Sequence, residues 1–334
     1  MAALLQDRYG PPQTALRFDQ VERPKPGPTD VLVKMRATSI NTPDWLAVTG
    51  IPYAVRPSLG LRRPATPVRG TDIAGVIEEV GASVEEFEPG DPVLGSLWDA
   101  NQRTHPPGTF AEYTVVPATR IIKKPDSITW EEAGSSPLSG LTALAAIRYV
   151  ADVQPDQHVL INGASGGVGT MAIQIAKAYD ANVTAVCSSR NVELVESLGA
   201  DHVIDYTRHD FTKGRARYDI ILDNVMNRAP SATTRVLNND GLFLPNSVGN
   251  TGRWFGGLPR MGRAGLLGLA SRKRVKFVTC EVDSTRLTEL ADLVTTGNVR
   301  TVIDSVFSLQ DGPDAIERML SHRASGQVVI SMTD

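Results

Sequence analysis

The stretch Leu160-Ile161-Asn162-Gly163-Ala164-Ser165-Gly166-Gly167-Val168-Gly169 constrains this chain more than any other. An apolar strand runs into a cluster of glycines, and a helix pattern follows at once. Val168, Met171, Ala172, Ile175, Ala176 and Tyr179 fall at helical spacing. Glycines permit a tight turn and let the backbone approach a pyrophosphate. The helix start then offers unpaired N–H groups and the positive end of its dipole. The strict pattern is Gly-x-Gly-x-x-Gly. Here Ala164, Gly166 and Gly169 hold its positions, so the first glycine is replaced and Gly163 stands just before it. Glycines alone carry little weight; the strand–turn–helix context favours a dinucleotide site over a structural turn.

The residues around this turn repeat one rhythm. His158-Val159-Leu160-Ile161, Val183-Thr184-Ala185-Val186-Cys187, His202-Val203-Ile204-Asp205, Tyr218-Asp219-Ile220-Ile221-Leu222, Gly241-Leu242-Phe243-Leu244 and Lys276-Phe277-Val278-Thr279 read as strands. Helical segments lie between them, and Gly199 supplies a helix stop. Apolar strands alternating with amphipathic helices predict a parallel sheet covered on both faces. Residues 1–125 differ. They are rich in proline and carry short alternating runs such as Val31-Leu32-Val33-Lys34-Met35 and Phe110-Ala111-Glu112-Tyr113-Thr114-Val115, split by turns such as Glu88-Pro89-Gly90-Asp91. The tail returns to that style, with strands at Val302-Ile303-Asp304-Ser305-Val306 and Gln327-Val328-Val329-Ile330 and a helix from Asp314 to His322. The expectation is a β-rich domain over 1–125, completed by 299–334, around a nucleotide-binding domain over 126–298. A length of 334 residues suits two domains.

Several function classes are excluded. With 34 basic and 37 acidic residues the net charge is −3, which gives no general grip on nucleic acid. Cys187 and Cys280 are the two cysteines, too few for a disulfide framework or a Cys-x-x-Cys zinc site. Met1 to Pro12 lacks a basic flank and apolar core, so no signal peptide is expected. No apolar run reaches the roughly 18 residues of a membrane span. A reducing cytoplasm is the expected setting, without stable membrane association.

The strand after the glycines selects the cofactor. About 20 residues on, an NAD-binding protein places Asp or Glu against the ribose. This chain has Ser188-Ser189-Arg190 there. No carboxylate repels a 2′-phosphate, and hydroxyls and a guanidinium suit one. The bland alternative is a helix cap at Ser189 followed by a solvated arginine. The coincidence of position favours NADPH.

At these residues the chain resembles the medium-chain dehydrogenase/reductase superfamily, in its zinc-independent quinone oxidoreductase branch. The resemblance spans nearly the whole chain. It rests on Ala37-Thr38-Ser39-Ile40-Asn41-Thr42-Pro43-Asp44-Trp45, Gly70-Thr71-Asp72-Ile73-Ala74-Gly75-Val76, Gly108-Thr109-Phe110-Ala111-Glu112-Tyr113 and Gly140-Leu141-Thr142-Ala143-Leu144. The glycine turn, Ser188 to Arg190, and Gly199-Ala200-Asp201-His202-Val203-Ile204-Asp205-Tyr206 add to it. It implies an α/β chain with a GroES-like β-rich catalytic domain and a Rossmann doubly wound sheet. Asn41, Thr142, Ser165, Gly166, Gly167, Val168, Ser188, Arg190, Tyr206, Asn224 and Ser247 are its implied NADPH-binding residues. It also implies a homodimer through the last Rossmann strand, near Lys276 and Cys280. The superfamily's zinc enzymes place cysteine where Asn41 stands and Gly-His-Glu where Gly70-Thr71-Asp72 stands. Catalytic zinc needs about three protein ligands, which these positions do not supply.

Without a metal, hydride passes directly to an electron-poor acceptor, and the protein holds donor and acceptor in register. Asn41 is expected to donate a hydrogen bond to the substrate oxygen or to position the nicotinamide. Asp44 and Tyr53 join it as catalytic candidates, with Tyr53 as a proton source, and Trp45 and Trp254 as pocket residues. Against these stand plainer roles: Asn41 and Asp44 ordering a loop, Trp45 in the core, Tyr53 at the surface. His105, His158, His202, His209 and His322 show no metal spacing. The segment 253–276 mixes Trp254, Phe255, Leu258, Leu266, Leu267 and Leu269 with seven basic residues. It reads first as a packed helix with solvated basic residues, and second as a lid for an anionic or lipid-like substrate or a membrane contact. The expected function is NADPH-dependent, metal-independent reduction of quinones or α,β-unsaturated carbonyls. The alternatives are a pathway-specific metal-free dehydrogenase or enoyl reductase, or a non-catalytic NADPH-binding protein.

Overall fold

The computed structural model describes residues 1–99, 108–247, 252–270 and 274–332. His105, Arg272 and Lys273 lie outside the described residues. Contacts gather the chain into two compact units. One is Met1–Leu141, Cys280–Thr296 and Thr301–Asp334; the other is Thr142–Thr279 and Gly297–Arg300. The composition shift at Pro125 therefore precedes the division in contacts. The reason is the helix Trp130–Ser135, which packs on the first unit: a Cβ at Gly134 would lie 2.7 Å from the Ala37 backbone.

The first unit holds β1 (Ala2–Gln6), β2 (Leu16–Gln20), β3 (Asp30–Ser39), β4 (Asp72–Val80), β5 (Pro92–Ser96), β6 (Tyr113–Pro117) and β7 (Ile121–Lys123). β1 and β2 pair with each other, and the main sheet takes in the chain's tail. On β3, Val31, Val33 and Met35 share one face and pack with Ile73, Ile77, Val93 and Ile121. The run from Phe110 to Val115 is strand only from Tyr113. Phe110 and Ala111 are fully buried, but the Phe110 N–H bonds to the Arg69 carbonyl in irregular backbone.

The second unit holds β8 (His158–Asn162), β9 (Asn182–Cys187), β10 (His202–Asp205), β11 (Tyr218–Asp223), β12 (Leu237–Pro245) and β13 (Arg274–Val275). The order is β10-β9-β8-β11-β12-β13, every pairing parallel. Val159, Leu160 and Ile161 are consecutive and fully buried, as a sheet covered on both faces requires. This is the doubly wound Rossmann order, which reverses between β8 and β11. The last strand differs from expectation. Pairing ends at Val275 opposite Phe243, and only the Lys276 N–H still reaches the Phe243 carbonyl, so 276–279 is not strand.

β14 (Ile303–Ser308) and β15 (Gln327–Ser331) return to the first unit, giving the sheet order β14-β15-β3-β4-β5-β7 with β6 beside β3. β15 runs antiparallel to β3. Among the described residues, no helix is long and apolar enough to cross a membrane.

Candidate active site

In the first unit, the junction of β3 with the helix Thr42–Thr49 builds a buried polar cluster. Asn41 is the N-cap, Pro43 fits the first turn, and Gly50 closes the helix at φ +62°. The Asp44 carboxylate accepts the Asn41 backbone N–H at 2.7 Å, as the third helical residue of a capping box does. The Asn41 amide nitrogen donates to Asp72 Oδ2 at 2.8 Å and to Ser39 Oγ at 3.1 Å. Ser39 Oγ donates to the same Asp72 oxygen at 2.7 Å, and the Leu138 N–H reaches Asp72 Oδ1 at 2.9 Å.

This arrangement fixes which way Asn41 faces. A carboxylate only accepts, so the NH2 end must point at Asp72. Both of its N–H groups are engaged, and donation to a substrate oxygen would require breaking one. The carbonyl end is left, with Ser139 Oγ at 3.4 Å. The acids are burdened by burial. Asp44, fully buried, is pushed up to about 7 by desolvation, against the Asn41 N–H and with the Asp72 charge adding to the rise. Burial pushes Asp72 up to about 6, against the donors from Ser39, Asn41 and Leu138.

Two neighbouring candidates have other surroundings. Trp45 is 8% exposed, sits in the hydrophobic core and meets His322 edge-on at 6.3 Å. Tyr53 is half-buried, and the Arg56 guanidinium lies 4.5 Å from its ring centre and 4.6 Å from that of Tyr9.

In the second unit, the glycine turn links β8 to the helix Gly167–Ala178. Gly163 takes φ +76°, which a side chain rarely adopts. A Cβ at Gly169 would lie 2.2 Å from the Gly163 carbonyl oxygen, so only glycine fits there. Gly166 is the N-cap, and Ser165 Oγ accepts from Asn191 Nδ2 at 2.8 Å. The first turn of this helix, with Gly167 and Val168, presents its N–H groups beyond the carboxyl end of β8.

Ser188 and Tyr206 leave the carboxyl ends of paired neighbours. Asp205 is opposite Cys187, and the Tyr206 N–H bonds to the Cys187 carbonyl. Arg190 and Tyr206 are exposed. A carboxylate that sequence spacing does not reveal stands here. Asp205 accepts from Ser189 Oγ at 2.6 Å and from Thr207 N and Oγ1 at 2.9 and 2.8 Å, and Arg208 Nε lies 3.6 Å away. Its charge is thus compensated locally. These hydrogen bonds, led by that from Ser189, hold Asp205 below the usual carboxylate range.

At the reversal of strand order, Asn162 Nδ2 donates to the buried Asp223 at 2.7 Å, and Asn246 Nδ2 donates to Asn224 Oδ1 at 2.8 Å. Asp223 Oδ2 and Asn224 Nδ2 are buried without a partner. A buried donor and acceptor left open beside a glycine cradle fit a polar ligand such as a dinucleotide. Thr142 and Ser247 are half-buried in the same unit, and Trp254 is 69% exposed beside Phe255.

Residues 27–126 match the family description "Alcohol dehydrogenase GroES-like domain", and 198–330 match "Zinc-binding dehydrogenase". The chain is 31% identical over 339 residues to "Quinone-oxidoreductase QR1, chloroplastic" of Triphysaria versicolor, covering 99% of this chain and 98% of that one. The chain belongs to the quinone oxidoreductase branch of the medium-chain dehydrogenase/reductase superfamily. This oxidoreductase is also 33% identical over 369 residues to human "NAD(P)H oxidoreductase RTN4IP1, mitochondrial", covering 99% of this chain and 89% of the relative. The quinone oxidoreductase from Coxiella burnetii superposes with a TM-score of 0.86 at 26% identity, covering 100% of this chain and 99% of that one. The GroES-like and Rossmann-type folds expected from sequence are thus both present. Among the described residues, no group of three or more His, Cys, Asp or Glu side chains is placed to hold a metal.

Ser39, Asp72 and Ser139 complete the cluster and were not among the sequence candidates. The signal for Asp72 is Gly70-Thr71-Asp72, where the absence of a ligand set conceals an acceptor for Asn41.

Proposed function

We propose that this oxidoreductase uses NADPH to reduce quinones or α,β-unsaturated carbonyl compounds without a catalytic metal. The observation that carries the reading is the Asn41–Asp72 pair. Where a zinc enzyme presents a thiolate, this chain presents an amide whose N–H groups are committed to the buried Asp72 carboxylate and the Ser39 hydroxyl. An amide so engaged is a poor metal ligand and a rigid positioning group.

When bound, a reduced nicotinamide supplies the hydride. The chain does the rest. Gly166, Gly167, Val168 and Ser165 receive the pyrophosphate at the helix start, while Thr142, Asn224 and Ser247 hold the nicotinamide half through polar contacts. Ser188, Arg190 and Tyr206 take the 2′-phosphate, Arg190 by a charge-assisted contact. Asn41 presents its carbonyl oxygen, which suits an N–H of the nicotinamide carboxamide better than a substrate oxygen. Asp44 titrates near neutral pH, Asp72 is there mainly the carboxylate that accepts from Asn41, and Tyr53 delivers a proton to the reduced product. Trp45 backs the Asn41 side of the acceptor site from the core of the first unit. The same reading carries a homodimer along the β13 edge, near Lys276 and Cys280, since β13 ends the sheet.

The test is NADPH oxidation with a panel of quinones, enones and alcohol-derived carbonyls. Turnover with quinones or enones is expected. Turnover confined to simple aldehydes or ketones points to a dehydrogenase, and tight NADPH binding without turnover to a non-catalytic role.

A further inference from the structure

On the reductase reading above, we propose that Arg56 and Arg69 together receive a carboxylate on the tail of the acceptor, so that the preferred quinones or enones carry an acidic side chain. This substrate class rests on that reading. Between Asp44 and Asp72 the sequence has no acid and no lysine but four arginines, Arg56, Arg62, Arg63 and Arg69, in a chain whose net charge is −3. All four belong to the first unit. Arginine carries the planar fork of donors that matches a carboxylate. Arg69 is only 5% exposed. Its Nε donates to Gln6 Oε1 at 2.7 Å, and one terminal nitrogen donates to Thr66 Oγ1 at 2.9 Å. The other terminal nitrogen is buried without a partner. Among the described residues, neither Arg56 nor Arg69 has a carboxylate within ion-pair distance. Burial pulls the Arg69 guanidinium down, against Tyr9 and Asp44, but an arginine stays charged. A buried charged donor left open costs stability until an acceptor meets it.

Arg56 supplies the second half. Its guanidinium stacks on two rings, 4.6 Å from the centre of Tyr9 and 4.5 Å from that of Tyr53. Stacking occupies its faces and leaves the N–H groups, which lie in the plane. Nε donates to the Gly50 carbonyl at 2.9 Å, which leaves the terminal N–H groups for a ligand. Both guanidinium charges bear on the Tyr9 hydroxyl. Burial nevertheless pushes that hydroxyl up, so Tyr9 stays neutral and offsets neither charge. Capping the helix Thr42–Thr49 accounts for Arg56 Nε but not for the open nitrogen of Arg69. Gln6, which holds Arg69, donates to the Ala47 and Val48 carbonyls, so both arginines are tied to the far end of that helix. Asn41 caps its start, and its 8 residues put the two ends about 12 Å apart. A carboxylate held at the Gly50 end therefore belongs to a side chain of the acceptor and not to its reacting ring.

The experiment compares two benzoquinones that differ only at the end of an alkyl side chain, one a carboxylate and the other an alcohol. The reacting ring is the same, so its reduction potential does not enter. kcat/KM should be about tenfold or more higher for the carboxylate, mainly through KM, and the ratio should shrink as salt rises. Arg56→Gln should bring the ratio near one, and Arg56→Lys should keep part of it. The ratio cancels any general loss in a variant. Arg69 is a poorer target, because its removal takes the donor from Gln6 Oε1 and costs stability. Calorimetric titration with a phenylalkanoate and the matching phenylalkanol, which accept no hydride, reads the site in the wild type without turnover. The alkanoate is expected to bind more tightly. Equal kcat/KM for the two quinones, a ratio unmoved in Arg56→Gln, or equal binding of alkanoate and alkanol would overturn the proposal and leave quinone reduction standing. Alkanoate binding that is lost in Arg56→Gln, with neither quinone reduced, would uphold the site and overturn the reductase reading.

Discussion

Asn41 turns its amide inward, donating across 2.8 Å to the buried carboxylate of Asp72. Asp72 begins β4 and Asn41 caps the helix Thr42–Thr49 just after β3, so the pair ties the start of that helix to the sheet. The orientation of Asn41 is therefore set from behind, by a residue that need not touch substrate.

Removing either partner should affect both stability and reaction. Asn41→Ala leaves a buried acceptor short of a donor, a loss of about 1–3 kcal/mol. We expect a lower melting temperature together with lower kcat. Asp72→Asn keeps an acceptor for Asn41 and should retain more turnover than Asp72→Ala. Thermal melts and kcat for the three variants check this. Full activity in Asp72→Ala would show that the reaction does not need Asn41 held this way.

The buried acids also predict a pH dependence of stability. Asp44 and Asp72 titrate at about 7 and about 6 in the folded chain, above the ordinary carboxylate value of 3.8. Over that window the folded chain holds more protons than the unfolded one. Their contribution is complete below about pH 4 and is lost as pH rises through 6 to 7, by on the order of a few kcal/mol. Urea unfolding of wild type and Asp44→Asn across pH 4 to 8 reads it. The stability of wild type relative to the variant should fall as pH rises, and parallel profiles would refute the assignment.

Gly169→Ala should damage cofactor binding and folding together. Its Cβ would lie 2.2 Å from the Gly163 oxygen, a backbone atom that cannot swing aside. Gly166 is roomier, its nearest neighbour for a Cβ being the same oxygen at 3.6 Å. Gly166→Ala should fold normally and lose NADPH affinity alone. Melting temperatures and NADPH titrations separate the two, and equal stability losses would contradict the packing argument.

Arg190→Ala should erase a preference for NADPH. A hydrogen bond between charged groups contributes about 1.5–3 kcal/mol, so NADPH should bind about 10- to 150-fold more weakly. NADH affinity should stay near that of wild type. Equal loss of both cofactors in titrations would make Arg190 structural.

The Rossmann half was legible because its physics is local. Val159 to Ile161 and Ile220 to Leu222 are apolar runs that only a doubly covered sheet buries. Gly199 ended its helix as read, at φ +98°. The strand expected at Lys276 failed because an edge strand needs one partner, and that pairing stops at Val275. The buried cluster was half legible. Asn41 stood out through its motif, but Asp72 and Ser39 look like ordinary polar residues until the fold brings β3 and β4 together. Asp205 was missed near Ser189 because pairing across strands, not sequence spacing, makes them neighbours.

Metal-free reduction by NADPH is tested most directly by steady-state kinetics of metal-free protein with a quinone acceptor, varying NADPH and NADH. Saturable turnover after exhaustive chelation, no gain on adding zinc, and a higher kcat/KM for NADPH than for NADH are expected. Turnover that vanishes on chelation and returns with stoichiometric zinc would contradict that mechanism.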